Sequence, residues 1–237
     1  AYADVKYARG KMDMEDGDSA LCVALKTGNM VIVNMLLKAG ADVNFAMGDR
    51  VTVLMMAVMN NKVGAARLLL EWGAKLNALN NLGKTALHFA AVEGPGVAMT
   101  RLLVDHGAAL NVQDGDGDTA LHFAAHKGKI EVVRFLLDAD AAIDLEDKKG
   151  RTPVKMALLN KHVPTLELLL RHGASAHRAA VLPEDRAGVP WTEDENNHVR
   201  AIVAALEAEP SAVHLLADHG GICEEKELLD WHMSSLG

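Results

Sequence analysis

Apolar residues in this chain fall in short, broad clusters, each followed by a polar break. Leu36-Leu37, Leu68-Leu69-Leu70, Leu102-Leu103, Leu136-Leu137 and Leu168-Leu169-Leu170 mark the successive clusters. The clearest copy carries Ile130, Val132, Val133, Phe135, Leu136 and Leu137 between Lys129 and Ala139. That stripe is too broad for a helix wetted on three sides, so it predicts a helix packed against neighbours on more than one face. The equivalent helix near the start of the chain is predicted over Met30 to Lys38, and a shorter helix is predicted ahead of the clearest copy, Ala120 to Lys127. Thr119 opens the shorter helix, because a Thr or Ser hydroxyl accepts from an orphan backbone donor of the first turn.

Gly28, Gly94 and Gly128 stand nine residues after such openings, where a left-handed residue ends a helix at low cost. Asn61 and His162 are the expected occupants in the other two copies; Asn suits that geometry and His does not. Gly40, Gly73, Gly107 and Gly173 close the second helices, with Asp140 in the fourth copy. The opening residues are Ser19, Thr52, Thr85, Thr119 and Thr152, separated by 33, 33, 34 and 33 residues. A constant period of this size predicts a stack of two-helix units in which each touches its neighbours and no central core is needed.

The wording of the units sharpens the expectation. Thr85-Ala86-Leu87-His88 and Thr119-Ala120-Leu121-His122 differ by one residue from Thr-Pro-Leu-His; Thr152-Pro153 keeps the Pro but has Lys155 for the His; Ser19 to Cys22 and Thr52 to Met55 lack the His. On these residues the chain resembles the ankyrin-repeat family, whose unit is a turn plus two helices. The resemblance covers residues 13–177 and implies an all-α ankyrin-repeat solenoid with a divergent C-terminal helical cap. It also implies that the signature histidines bond structurally within and between repeats. The departures from the signature imply uneven stability along the stack.

Five repeats are expected at about 13–44, 45–77, 78–111, 112–144 and 145–177. Residues 1–12 read as an N-terminal cap or the remnant of a preceding repeat. Past His177 the rhythm breaks, and Pro183, Gly188 and Pro190 mark a loop. Thr192-Glu193-Asp194-Glu195 has the form of a capping box. Val199, Ile202, Val203 and Leu206 then follow at helical spacing. Leu215 to Gly220 repeats the Leu-Leu-x-Asp-His-Gly of Leu102 to Gly107. Residues 178–221 are therefore expected to form a divergent sixth repeat with an insert, and residues 222–237 a capping helix.

Composition narrows the function. Half of the residues are hydrophobic but only 4% are aromatic, so Leu, Val, Ala and Met must fill the interior. A net charge of -8 argues against a nucleic-acid partner, which calls for a basic face. Cys22 and Cys223 lie too far apart in sequence to suggest a disulfide framework and fit a reducing compartment, so a cytoplasmic or nuclear location is expected. No apolar run reaches membrane-spanning length.

Candidate chemistry is sparse. Asp114, Asp116 and Asp118 open like a calcium loop, but Thr119 and Ala125 stand where that loop needs Gly and Glu. They read instead as a polar hairpin tip. His122 and His126 have helical zinc spacing without a third ligand nearby, and His214, His219, Cys223 and His232 meet no standard ligand spacing. Cys22 reads as a packed thiol. Met55 and Met56 read as core; the resemblance places Met59 where the family exposes a side chain, and core packing stays open for it. No cofactor, metal or enzymatic activity is expected, and a small-molecule ligand is not.

The expected function is protein–protein recognition as a scaffold or adaptor. The resemblance implies a concave face lined by hairpin tips and the exposed side of each first helix. Carried over by position, the tips supply Asp16, Asp18, Asp49, Val51, Leu82, Lys84, Asp116, Asp118, Lys149 and Arg151. The first helices supply Lys26, Met59, Asn60, Val92, Glu93, His126, Lys127, Asn160 and Lys161. Acid leads in the first units, apolar groups in the middle and basic groups in the fifth, which suits a partner segment of mixed charge. Two other roles stay open: a regulatory fragment of a larger polypeptide, or a structural subunit of a large assembly held by its divergent end.

Overall fold

The computed structural model describes residues 19–92 and 96–175. Residues 1–18, the turn at 93–95 and the region from 176 onward, which includes the expected sixth repeat and capping helix, lie outside the described residues. The described chain is a succession of helix pairs. Unit one contains α1 (Ala20–Thr27) and α2 (Met30–Lys38), and unit two α3 (Val53–Met59) and α4 (Val63–Glu71). Units three to five contain α5 (Ala86–Val92) with α6 (Ala98–Asp105), α7 (Ala120–His126) with α8 (Ile130–Asp138), and α9 (Pro153–Leu159) with α10 (Val163–Arg171). Among the described residues the only β pairing is an isolated bridge between Ala46 and Thr52.

The first helices pack in a row, α1 on α3 on α5 on α7 on α9, and the second helices pack behind them. A helix of two turns is unstable alone in water, so neighbours supply the stability. The row explains why first helices are small and apolar on almost every side. Ala90, Ala91, Ala124 and Ala125 let helices approach closely, while Leu21, Leu54, Leu87, Leu121 and Val154 fill the layer between them. Met55 and Met56 are buried, as their positions predicted, and Met59 is exposed. Cys22 is buried as a free thiol with the Ser19 hydroxyl 3.3 Å from its sulfur.

Helix starts divide by chemistry. Ser19, Thr52 and Thr119 accept from the backbone N–H three residues on. Thr152 does not: Pro153 opens α9, and the Thr152 hydroxyl is buried without a hydrogen-bond partner. Helix ends also differ from expectation in one unit. Lys161, not His162, takes the left-handed conformation, with φ 61°, alongside Asn61 at 51°. Position nine after Thr152 is Lys161, so His162 falls one place later, at the N-cap of α10 with φ -87°. Its ring lies across Gly128, and its Nε2 donates to the His126 carbonyl at 3.0 Å.

Candidate partner-binding surface

Each hairpin tip is held from within by one side chain. Asn80 Oδ1 accepts from the N–H groups of Leu82 and Lys84 at 3.0 and 2.8 Å. Asp114 does the same for Asp116 and Asp118 at 2.9 and 3.0 Å, and Asp147 for Lys149 and Arg151 at 2.8 Å each. A short carboxylate or amide two residues ahead of the turn is the ordinary device for such a tip. This commits the Asp114 Oδ1 to the backbone and supports the hairpin reading of Asp114, Asp116 and Asp118. Among the described residues no group of three or more His, Cys, Asp or Glu is placed to hold a metal ion.

The tips are stitched to one another. Asn81 N–H donates to the Asp49 carbonyl at 2.9 Å, Gly115 N–H to Leu82 at 2.8 Å, and Lys148 N–H to Asp116 at 2.9 Å. The approach is close enough to require glycine. A Cβ on Gly117 would lie 2.8 Å from the Lys148 nitrogen, and one on Gly83 2.9 Å from the Gly115 nitrogen. Asp49, Leu82, Asp116 and Lys149 consequently occupy one row, a single position repeated once per unit.

Behind the tips, Thr85 with His88 and Thr119 with His122 tie neighbouring units together. The His88 Nδ1 accepts from the Thr85 N–H at 2.9 Å, and its Nε2 meets the Asp118 carbonyl at 3.1 Å. His122 repeats this with the Thr119 N–H at 3.2 Å and the Arg151 carbonyl at 3.0 Å. A backbone N–H can only donate and a carbonyl can only accept, so both rings must be neutral with the proton on Nε2. Burial lowers both pKa values from the ordinary 6.5, against the raising pull of the carbonyl partners and nearby carboxylates. Phe123 stacks edge-on against His88 at 5.8 Å, with the Lys84 ammonium 4.5 Å from its ring centre.

Of the residues expected on the surface, Lys26, Asp49, Met59, Asn60, Leu82, Asp116, Lys127, Lys149 and Lys161 are exposed. Leu82 and Met59, at 63% and 44%, are unusually bare for apolar side chains. Val51, Lys84, Val92, His126, Arg151 and Asn160 are half-buried, and Asp118 is buried. Asp16, Asp18 and Glu93 lie outside the described residues. Two residues from adjacent units meet directly: the Asn160 Nδ2 is 2.9 Å from the His126 Nδ1. Burial lowers the His126 pKa, and Lys127, His162 and Arg151 lower it further. Arg151 turns inward, its Nε 2.6 Å from the Asp147 Oδ2. Burial pushes Asp147 up, but the N–H groups and guanidinium of Arg151 and the N–H of Lys149 outweigh it and hold the carboxyl below its usual range.

These features (a 33-residue pitch, stitched tips, Thr–His ties between units) coincide with the outcome of comparison with known proteins. A model of ankyrin repeats matches residues 5–80, 21–114 and 96–180. The chain is an ankyrin-repeat protein. Ankyrin repeats are protein–protein interaction modules rather than catalytic ones. Curated relatives include dauer abnormal formation protein 25 of Caenorhabditis elegans, 37% identical over 33% of this chain and 20% of that protein. The mouse B-cell lymphoma 3 protein homolog is 38% identical over 36% of this chain and 20% of its own length. A transient receptor potential cation channel subfamily A member 1 homolog of C. elegans is 30% identical over 38% of this chain and 8% of its own. The ankyrin protein thus spans a fifth or less of each. Among the described residues no helix is long and apolar enough to cross a membrane.

One set of functional side chains escaped the sequence reading. Asn44, Asn77, Asn111 and Asp144 each accept, through Oδ1, a backbone N–H from the following unit: Lys75 at 2.7 Å, Ala109 at 3.0 Å, Ala142 at 2.9 Å and Ser175 at 3.1 Å. The signal was present, because these residues close the first four units at a constant phase. Only the reach across to the next unit was not visible.

Proposed function

We propose that this ankyrin-repeat protein is a scaffold or adaptor without catalytic activity that holds an extended protein segment of mixed charge along its row of tips. One observation carries this reading: the exposed tip position changes chemistry in order, from Asp49 through Leu82 and Asp116 to Lys149, on a backbone that does not change. Met59 adds an apolar group, and Lys127 and Lys161 add positive charge in units four and five. A partner segment would set a basic residue against unit two, an apolar residue against Met59 and Leu82, and an acidic residue against Lys149. Charge order of this kind fixes register and association rate more than affinity. Asp118 and Arg151 support the tips from beneath instead of meeting the partner. The expected location is cytoplasmic or nuclear.

The experiment is co-purification after crosslinking in native lysate, comparing wild type with Leu82→Asp plus Met59→Asp and with Lys149→Glu plus Lys127→Glu. The partners recovered by wild type should be lost from both variants while helical circular dichroism is unchanged. Recovery of the same partners at full strength by both would contradict the assignment. A second reading is favoured by the small share of each relative that the chain spans: the same surface would serve as the regulatory part of a longer polypeptide. The full-length reading frame decides between the two.

A further inference from the structure

Three carboxylates, those of Asp114, Asp118 and Asp147, are buried where the tips of units four and five meet. Two of them are compensated. Asp114 accepts two backbone N–H groups and has the Lys84 ammonium 3.8 Å away. Asp147 accepts two N–H groups and the Arg151 guanidinium. Asp118 is not: its Oδ1 is buried with no hydrogen-bond partner. Yet its backbone joins two units, as that of Arg151 does one unit further on. Its N–H donates to the Asp114 carboxylate, and its carbonyl accepts from both the Asp114 N–H and the His88 ring of unit three.

We propose that Asp118 is a proton-binding site that couples units three, four and five: proton uptake there tightens the stitched tips, and proton loss loosens them. A carboxylate with one buried, unpaired oxygen beside two other carboxylates destabilises the fold when ionised, and protonation removes both the charge and the repulsion. Every neighbour bears on the balance. Asp114 and Asp116 stand on the same hairpin, Lys84 and His88 come from unit three, His122 lies in the first turn of the helix behind it, and Asp147 and Arg151 come from unit five. Burial first, then Asp147 and Asp114, raise the Asp118 pKa to about 6; Arg151 pulls it down and Asp116 adds a small push upward. The folded state therefore takes up a proton that the unfolded chain, at about 3.8, does not. The sign is that Asp118 destabilises the ionised fold above pH 6, and this penalty is relieved progressively as pH falls from 6 towards 3.8. His88 and His122 act oppositely, because their folded pKa values are lowered: what they contribute is present above pH 6.5 and lost below it. Asp118 must consequently be read as a difference between proteins and not from one pH profile.

The test compares urea unfolding of wild type and Asp118→Asn, a neutral side chain of the same shape, between pH 7.5 and pH 5. The ratio of their unfolding constants should favour Asp118→Asn at pH 7.5 and shrink by about tenfold by pH 5, with the histidine contributions cancelling. A ratio that does not move with pH would overturn the proposal. Should the variant fail to fold, the wild-type protein still decides: its Asp118 carboxyl carbon, followed by NMR, should titrate near pH 6, and titration near 4 would overturn it.

Discussion

Units two and three follow the same backbone path with different chemistry. In unit three the tip is held by Asn80, turns at Gly83 and is tied to the next unit by His88. Unit two has Met47, Arg50 and Met55 at those three positions. Met47 N–H still reaches the Val51 carbonyl at 3.1 Å, as Asn80 N–H reaches Lys84 at 3.0 Å. No side-chain acceptor supports that hairpin, though, and Arg50 must adopt φ 58°, where a side chain costs energy. Met55 fills the space of the histidine and its N–H still donates to the Thr52 hydroxyl at 3.2 Å, but its side chain has no nitrogen to accept the Thr52 N–H. The backbone trace therefore follows from apolar spacing, whereas the strength of each joint depends on a few polar residues. In a stack where each unit touches only its neighbours, such differences stay local.

The sharpest way to break a strong joint is at its closest approach. Gly117→Ala puts a Cβ 2.8 Å from the Lys148 nitrogen at φ 88°, and the expected loss is about 3 kcal/mol or more in denaturant unfolding. Gly150→Ala is its control: φ is 68° but nothing lies within 4 Å, so only the conformational cost of about 1 kcal/mol is expected. Equal losses would mean that the tips do not touch as described.

A smaller effect is expected at the ties. His122→Ala strands the Thr119 N–H and takes from the Arg151 carbonyl one of its two donors, the Asp147 N–H remaining, at a cost of about 2 kcal/mol at pH 7.5. The variant should also lose less stability than wild type on going from pH 7.5 to 5.5, because one buried neutral histidine has been removed. An unchanged pH slope would refute the neutral-ring assignment. The smallest effect runs the other way. Met47→Asp with Arg50→Gly installs in unit two the tip chemistry of unit four, and about 1 kcal/mol of stabilisation is expected by thermal unfolding. A neutral or negative change would show that packing of Met47 outweighs the missing acceptor.

Much of this was legible in the sequence. The 33-residue pitch gave the units, broad Leu clusters gave the second helices, and the opening hydroxyls gave the helix starts to within a residue. What was not legible depended on contacts across units. Asn111 reads as the last letter of its own repeat until Ala142 is seen above it. Arg151 reads as one more surface cation until Asp147 is found beneath it, and Asp118 as one of three similar carboxylates until its neighbours are counted. Thr152 looks like Thr119 on paper, but Lys155 cannot reach back as His122 does, and its hydroxyl is left alone. Sequence reports such residues by kind, whether the partner lies thirty-one positions away, as for Asn111, or four away across a hairpin, as for Arg151.

Native-state hydrogen exchange tests the central claim most directly, since it reads the strength of each joint in one intact molecule. The account predicts that the amides of Gly115, Thr119 and Lys148 open with markedly higher free energies than those of Met47 and Arg50. Equal protection along the stack, or stronger protection in unit two, would contradict it.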